Sequence, residues 1–513
     1  MQLKPSAQAV ALALLSTAPL YSGDVFALPP TATPAITIYS SGNTAANNFI
    51  QYVLANRVCK TGTLDTYRDI PLKGSDFLGF FCTVDSTKVP GLTVKDPNLL
   101  VLKRTRTNAE LGVYPLLEPT KLIDIMGINN TVNGEPQCTL STTANVYDCK
   151  IDRAGDLFKI TPDFGVADVH PSLFRGTNFN PIIDGIAFQQ VTAAAVSANL
   201  KVQPTGALVF NTPVTLGLRN ALQAAQIDQG ILDADCLADE SQRCQPSLSK
   251  DLIASIFAGR LQKWSDVRVN YTPAGSSTAV SRKLTEYGVL PADQKVRICR
   301  RNRGAGQQAV PNLYLFNAPC SSTVAPAETG NPLLGPVVHI ATSVSGGEAC
   351  LDDFDKGTNN STFNTGLTTA WAIGIAATDR NASLAKNYRF IKIDGASPTL
   401  DEVFSGHYKM YSEGSFNWRK VDPQPTGNKL TLIQKLAKDA AEPTVLASFN
   451  GSSVQPFGRG GYLAISSQGY QVKHPFDPTF PVTPYTHAPT GLGLDGCRIP
   501  LLDTGAKGKL PAL

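Results

Sequence analysis

Histidine is scarce in this chain. Five occur in 513 residues, at positions 170, 339, 407, 474 and 487. None is spaced as a pair of ligands on one helix turn, and no Cys-x-x-Cys is present. A zinc finger or a histidine-built metal centre is therefore excluded as the organising feature. Charge is also thin. Asp, Glu, Lys and Arg make up 17% of the chain, against roughly 25% in ordinary soluble domains. The excess of 45 basic over 41 acidic residues is only +4. That balance gives neither a nucleic-acid footprint nor a polybasic membrane surface. No apolar run after the N-terminus approaches the ~18 residues of a membrane span. There is no Gly-x-Ser-x-Gly elbow, no Walker phosphate loop and no His-Glu-x-x-His. Repeats and low-complexity tracts are absent as well.

What is present begins with length and cysteine. Hydrophobic residues are 42%, enough to bury cores, so a disordered chain is excluded. At 513 residues several folding units are expected. Met1 to Lys4 is a short positive start, Ala7 to Leu20 is largely apolar, and Val25-Phe26-Ala27 puts small residues before a cleavage point. This reads as a signal peptide over 1–27, with the mature protein periplasmic or secreted. Ten cysteines, an even number, fit that oxidising destination. Cys138 and Cys149 flank a polar loop, and Cys236 and Cys244 an acidic one; both spacings predict short-loop disulfides. Cys59–Cys82 and Cys320–Cys350 are the next expected pairs. Cys299 and Cys497 are then left to pair over a long separation or to stay apart.

Strand and helix signals alternate along the chain, which predicts an α/β fold. Ala35 to Tyr39 reads as a strand. It runs through Ser40 to Thr44 into a helix with Phe49, Ile50, Val53 and Leu54 on one face. Ala207–Phe210, Val296–Cys299, Ala370–Ala377, Tyr388–Ile393 and Gly461–Ile465 are further strand-like runs. Ser249 caps a helix whose stripe is Leu252, Ile253, Ile256 and Phe257, with Gly259 ending it. Leu430, Ile433 and Leu436 mark another helical face. Asp353 to Gly357 resembles part of a calcium loop but lacks its third acidic ligand, so it is read as a solvated acidic turn.

Two segments carry candidate chemistry. Asp163 to Pro171 offers carboxylates and a histidine. Arg300-Arg301-Asn302-Arg303-Gly304-Ala305-Gly306-Gln307 offers guanidinium groups before a glycine-rich turn. A guanidinium binds a tetrahedral oxyanion bidentately, and such a turn exposes backbone N–H donors. A carboxylate beside the anion accepts a bond only from a ligand that keeps a proton. The same residues also suit a purely structural Arg–Asp pair, with glycines turning the chain.

The order of segments resembles the phosphate-binding members of the type 2 periplasmic binding proteins, the solute receptors of ABC importers. Gly42-Asn43-Thr44 is similar to their first Gly-x-Thr turn, and Gly165 to Pro171 to their Gly-x-Ser-Asp-x-Pro segment. Ile256 to Asp266 matches their Ile-Phe-x-Gly…Trp-x-Asp helix end, and Arg300 to Gln307 their Arg-Arg-x-x-Gly-Ser-Gly-Thr loop. Ala372-Ile373-Gly374-Ile375 is similar to a late strand of the family. The resemblance spans about residues 35–412.

It implies a two-lobed fold with a hinge and an interlobe cleft. Residues 28–209 are expected in lobe 1 and 210–372 in lobe 2, with 373–513 returning to lobe 1 and adding an extension. It further implies Thr44, Asp168 and Arg301 as ligand-binding residues, completed by the N–H groups of Ala305, Gly306 and Gln307. The expected function is capture of phosphate or a similar oxyanion for an ABC permease. No catalytic residue, metal or cofactor is expected, and no nucleic acid or integral membrane span. Ala305 and Gln307 replace the family's Ser and Thr, so two hydroxyl donors are missing. The family's first-lobe Ser-Gly-Gly loop is matched only loosely by Lys103 to Gly112, with Thr107 or Asn108 as candidates. An extracellular interaction protein that keeps the fold and has lost transport is the alternative. A secreted phosphatase is a third reading, for which the sequence supplies no nucleophile.

Overall fold

The structure, a computed structural model, describes residues 28–503 apart from 45, 73, 75, 106, 107 and 323. The expected signal peptide and Thr107 lie outside the described residues.

The strand Ile36–Gly42 buries Ile36 and Ile38 and sits inside a mixed sheet of twelve strands. It runs parallel to Asn98–Arg104, with Ser40 opposite Lys103, and to Phe164–Ala167, with Ser41 opposite Gly165. Both neighbours are almost wholly buried, which is why they read as continuous apolar runs. The helix Ala46–Val53 follows and buries Ala46, Phe49, Ile50 and Val53. Its expected continuation at Leu54 is a π-helical turn, Leu54–Val58. The long strand Leu200–Asn211 pairs antiparallel with Tyr411–Arg419 in the same sheet.

A second mixed sheet has the order Val337–Ala341, Asp293–Arg301, Ala370–Gly374, Val214–Thr215, Tyr388–Arg389. The helix Lys250–Phe257 packs in this half. Ser249 accepts the Leu252 N–H at 3.2 Å, the cap read from sequence. Trp264 is fully buried and donates to the Trp371 carbonyl at 2.9 Å. Each sheet with its helices forms one lobe, so the fold is α/β and two-lobed.

The lobes are joined by several neighbouring crossings. The chain leaves the first sheet after Asn211 and enters the second at Val214. It returns from Gly374 to Ala376–Ala377, which pairs with Phe210 and Asn211. A last return reaches Tyr411–Arg419. The Gly374 N–H donates to the Pro213 carbonyl at 2.8 Å, and the Tyr408 hydroxyl to the Phe210 carbonyl at 2.6 Å. Tyr388 to Ile393, read as one strand, is two. Tyr388–Arg389 joins the second sheet, while Lys392–Ile393 pairs with Ser247–Leu248.

The extension after Ile465 returns to the first lobe. Val482–Thr483 pairs with Tyr462–Ile465. The Thr486 hydroxyl and the His487 N–H donate to Glu413 Oε1 at 2.7 and 2.8 Å, and His487 Nδ1 meets Glu413 Oε2 at 2.6 Å. Glu413 lies fully buried in the strand Tyr411–Arg419, so the tail is anchored in that sheet.

Three disulfides join the expected cysteines: Cys59–Cys82, Cys138–Cys149 and Cys236–Cys244. The other two correct the reading. Cys350 pairs with Cys299, and Cys320 with Cys497. Cys299 lies in the strand Asp293–Arg301, and the helix Val344–Lys356 lies on that sheet with Cys350 facing it. Helix-on-sheet packing chose the partner, not proximity in sequence.

Asp353 to Gly357 is a second correction. Asp353 to Lys356 close the helix Val344–Lys356, because Cys350, Leu351 and Phe354 make a buried face and Gly357 ends it with φ 70°. Asp353 is fully buried. It accepts from the Thr358 hydroxyl at 2.6 Å, Asn360 Nδ2 at 3.0 Å and the Ser361 N–H at 2.6 Å.

Candidate functional site

The carboxyl ends of parallel strands are where α/β sheets present ligand-facing groups. In the first lobe those ends deliver Asn43, Lys103 and Asp168, from or just beyond Ile36–Gly42, Asn98–Arg104 and Phe164–Ala167. In the second lobe the end of Asp293–Arg301 delivers Arg301. The turn then leads into the helix Gly306–Phe316.

These groups converge. Asn43 Nδ2 donates to Asp168 Oδ1. Asn43 Oδ1 accepts the Ala46 N–H at 3.2 Å, which fixes the amide and caps the helix start. Lys103 is fully buried and donates to the Gly42 and Asn43 carbonyls at 3.1 and 2.8 Å, holding the turn. Thr44, the expected ligand residue, is exposed; it is Asn43 that reaches Asp168.

Asp168 lies against the start of the second-lobe helix. A β-carbon built on Gly306 would stand 2.5 Å from Asp168 Cβ and 2.7 Å from its Oδ2. A helix N-terminus favours a negative charge, and here the chain's own carboxylate provides it. Burial pushes the Asp168 carboxyl up to about 6, against the pull of Arg301, Asn43 and Lys103. Burial likewise lowers Lys103 to about 7, with Asp168 opposing.

Arg301 is buried and each of its three guanidinium nitrogens donates one hydrogen bond. Nε reaches the Ala341 carbonyl at 3.1 Å, Nη2 the Thr342 carbonyl at 3.0 Å and Nη1 the Gln307 Oε1 at 3.1 Å. Gln307 Nε2 in turn donates to the Ile375 carbonyl at 2.9 Å, so both ends of its amide are fixed. Burial lowers Arg301 to about 10, and Asp168 works against it. Arg300 points elsewhere along the alternating strand, to the Ala327 carbonyl at 2.8 Å. Ala305 is buried at the helix N-cap position, and its carbonyl accepts the Gln308 and Ala309 N–H groups at 3.0 Å each.

Glu110 extends the interlobe contact. Its N–H donates to the Gly304 carbonyl at 3.2 Å, and its carboxyl accepts from Asn108 Nδ2 at 3.2 Å and Asn180 Nδ2 at 3.0 Å. Burial pushes that carboxyl up to about 8, with the asparagines only partly opposing. The unfolded value is near 4.5, so the folded chain binds the extra proton between these limits. Stability at this group therefore falls as pH rises from about 4.5 to about 8. Glu110→Gln should be more stable than the parent at pH 8 by a few kcal/mol, with the gain fading toward pH 4. Urea unfolding at both pH values reads this, and an equal difference at both would refute it.

A half-open cavity of about 50 Å³ lies beside Asp168 in the first lobe. Phe49, Leu208, Phe416 and Leu446 form apolar walls, and Asn43 and Tyr462 stand with Asp168 as polar groups. Asn43, Lys103 and Glu110 were not read from the sequence as site residues. The available signal for Lys103 was a pair of cations, Lys103 and Arg104, closing the apolar run Leu99–Leu102 of a parallel strand.

No protein family and no curated protein matches the chain. Among solved structures it is similar to a putative phosphate ABC transporter substrate-binding protein with bound phosphate from Clostridium perfringens. That pair has 10% identity and a TM-score of 0.37, covering 79% of this chain and 96% of the other. It is also similar to an ABC-type phosphate transport receptor from Vibrio cholerae, at 11% identity and a TM-score of 0.34, covering 78% and 93%.

Proposed function

We propose that this is an exported solute-binding protein whose interlobe cleft takes phosphate or a similar small oxyanion, for delivery to an ABC permease. The observation that carries the reading is a buried carboxylate from one lobe, Asp168, within electrostatic reach of a buried guanidinium from the other, Arg301, with Asn43 bonded to Asp168 and Lys103 nearby. Buried charges of both signs are costly in a core and cluster where chemistry or binding needs them. Gln307 Oε1 occupies an acceptor position on Arg301 that an oxyanion would take. The ligand therefore displaces the Gln307 carboxamide, and Asp168 accepts from a ligand that still carries a proton. Five disulfides with no free cysteine among the described residues support an oxidising compartment, periplasmic or secreted.

One observation favours a second reading, an interaction protein that keeps the fold without transport. Arg301 already has three protein acceptors, and the helix N-terminus already has Asp168. Calorimetric titration of the refolded, ligand-free protein with phosphate, sulfate and arsenate separates the two. Phosphate should bind the wild type, and Gln307→Ala should bind it about tenfold more tightly. That gain matches removal of one competing charged hydrogen bond of about 1.5 kcal/mol. Absence of binding by both proteins would leave the second reading.

A further inference from the structure

We infer that the Cys320–Cys497 disulfide is an interlobe lock that keeps the cleft from opening in the oxidised protein. Cys320 follows the helix Gly306–Phe316 of the second lobe. Cys497 belongs to the tail anchored on the first lobe through Val482–Thr483 and Glu413, and Arg175 Nη2 lies 3.7 Å from its sulfur. The bond is thus a covalent link between lobes whose other covalent connections are the backbone crossings.

Its position makes it a lock. The helix Gly306–Phe316 carries a row of contacts to the first lobe. Before its start, the Gly304 N–H donates to the Asn178 carbonyl at 3.0 Å, and the Gly304 carbonyl accepts from Glu110. At its start, Gly306 abuts Asp168. Midway, Asn312 Nδ2 donates to Asn178 Oδ1 at 2.7 Å. Beyond its end, a β-carbon on Gly176 would stand 3.4 Å from Pro319 Cβ, next to Cys320. Hydrogen bonds of this kind open and close freely in water, whereas a disulfide does not. With Cys320 tethered, the helix cannot swing away from the first lobe, and solute must exchange by local rearrangement at Gln307 and not by parting of the lobes.

The test needs no ligand, so its outcome is independent of the solute. Amide hydrogen exchange is measured for wild type and for the Cys320→Ser/Cys497→Ser double variant. In the wild type, the Gly304 and Glu110 N–H groups should exchange as slowly as amides of the strand Asp293–Arg301. In the double variant those two should exchange at least about tenfold faster, with the strand amides unchanged. A Cys236→Ser/Cys244→Ser control, which removes a disulfide within one lobe, should leave both rates as in wild type. The inference is overturned if the two interlobe amides exchange equally in wild type and double variant. It is also overturned if they already exchange far faster than the strand in wild type. That second criterion uses the wild type alone and holds even if the double variant does not fold.

Discussion

Arg301→Met should abolish oxyanion binding and destabilise the protein by about 3–5 kcal/mol, the usual result of removing one partner of a buried charge pair. The substitution keeps the volume but strands the Thr342 carbonyl and Gln307 Oε1, which accept from the guanidinium, while the Ala341 carbonyl keeps the Asn302 N–H at 3.2 Å. It also removes the charge that most lowers Asp168. A pH signature separates this from a simple loss of packing. Asp168 already sits at about 6, above its ordinary 3.8. Without Arg301 it rises further, so the folded variant holds a proton there to higher pH. The deficit of the variant should therefore be larger at pH 8 than at pH 5, where Asp168 is protonated in both proteins. Denaturant unfolding at the two pH values measures it. A deficit that does not change with pH would show that Asp168 does not feel Arg301.

Gly304→Ala should be the most disruptive single methyl group in the interlobe contact. Gly304 has φ +80°, a left-handed conformation that costs an alanine about 1 kcal/mol. Its β-carbon would also lie 1.7 Å from Glu110 Oε2, so the carboxyl or the lobe must move. Overpacking of this kind adds about 1–3 kcal/mol. Gly275→Ala is the control, because it has φ +77° with nothing within 4 Å of the new carbon. It should lose only the backbone part. In a Glu110→Ala background, which removes the obstructing carboxyl, the excess loss at Gly304 should largely disappear. A double-mutant cycle by chemical denaturation gives the coupling directly. Additive losses would mean that Gly304 and Glu110 do not collide.

Much of the fold was legible because it depends on short-range pattern. The apolar runs around Ile38, Val209 and Ile298 form strands of the two sheets. The Ser249 cap and the Ile253/Ile256/Phe257 stripe specify their helix without help from the rest of the chain. Asp353 shows where local reading stops. Its acidic neighbours suggest a surface turn, but packing of Phe354 and Leu351 holds the segment in a helix, and the following loop closes over the carboxylate.

The α/β alternation, the three short-range disulfides and the presence of a cation and a carboxylate in the candidate segments are all written in the residue order. These follow from side-chain periodicity, loop length and residue chemistry, all local in the chain. The remaining contacts come from packing in three dimensions. That packing brought Asn43 to Asp168, gave Arg301 the Gln307 carboxamide as a partner, set Glu110 against Gly304 and joined Cys320 to Cys497. The first two depend on how neighbouring elements pack within a lobe, and the last two on how the two sheets face one another across the crossings near Asn211 and Ile375. A choice of partner between lobes has no signature in the residues that lie beside it in sequence.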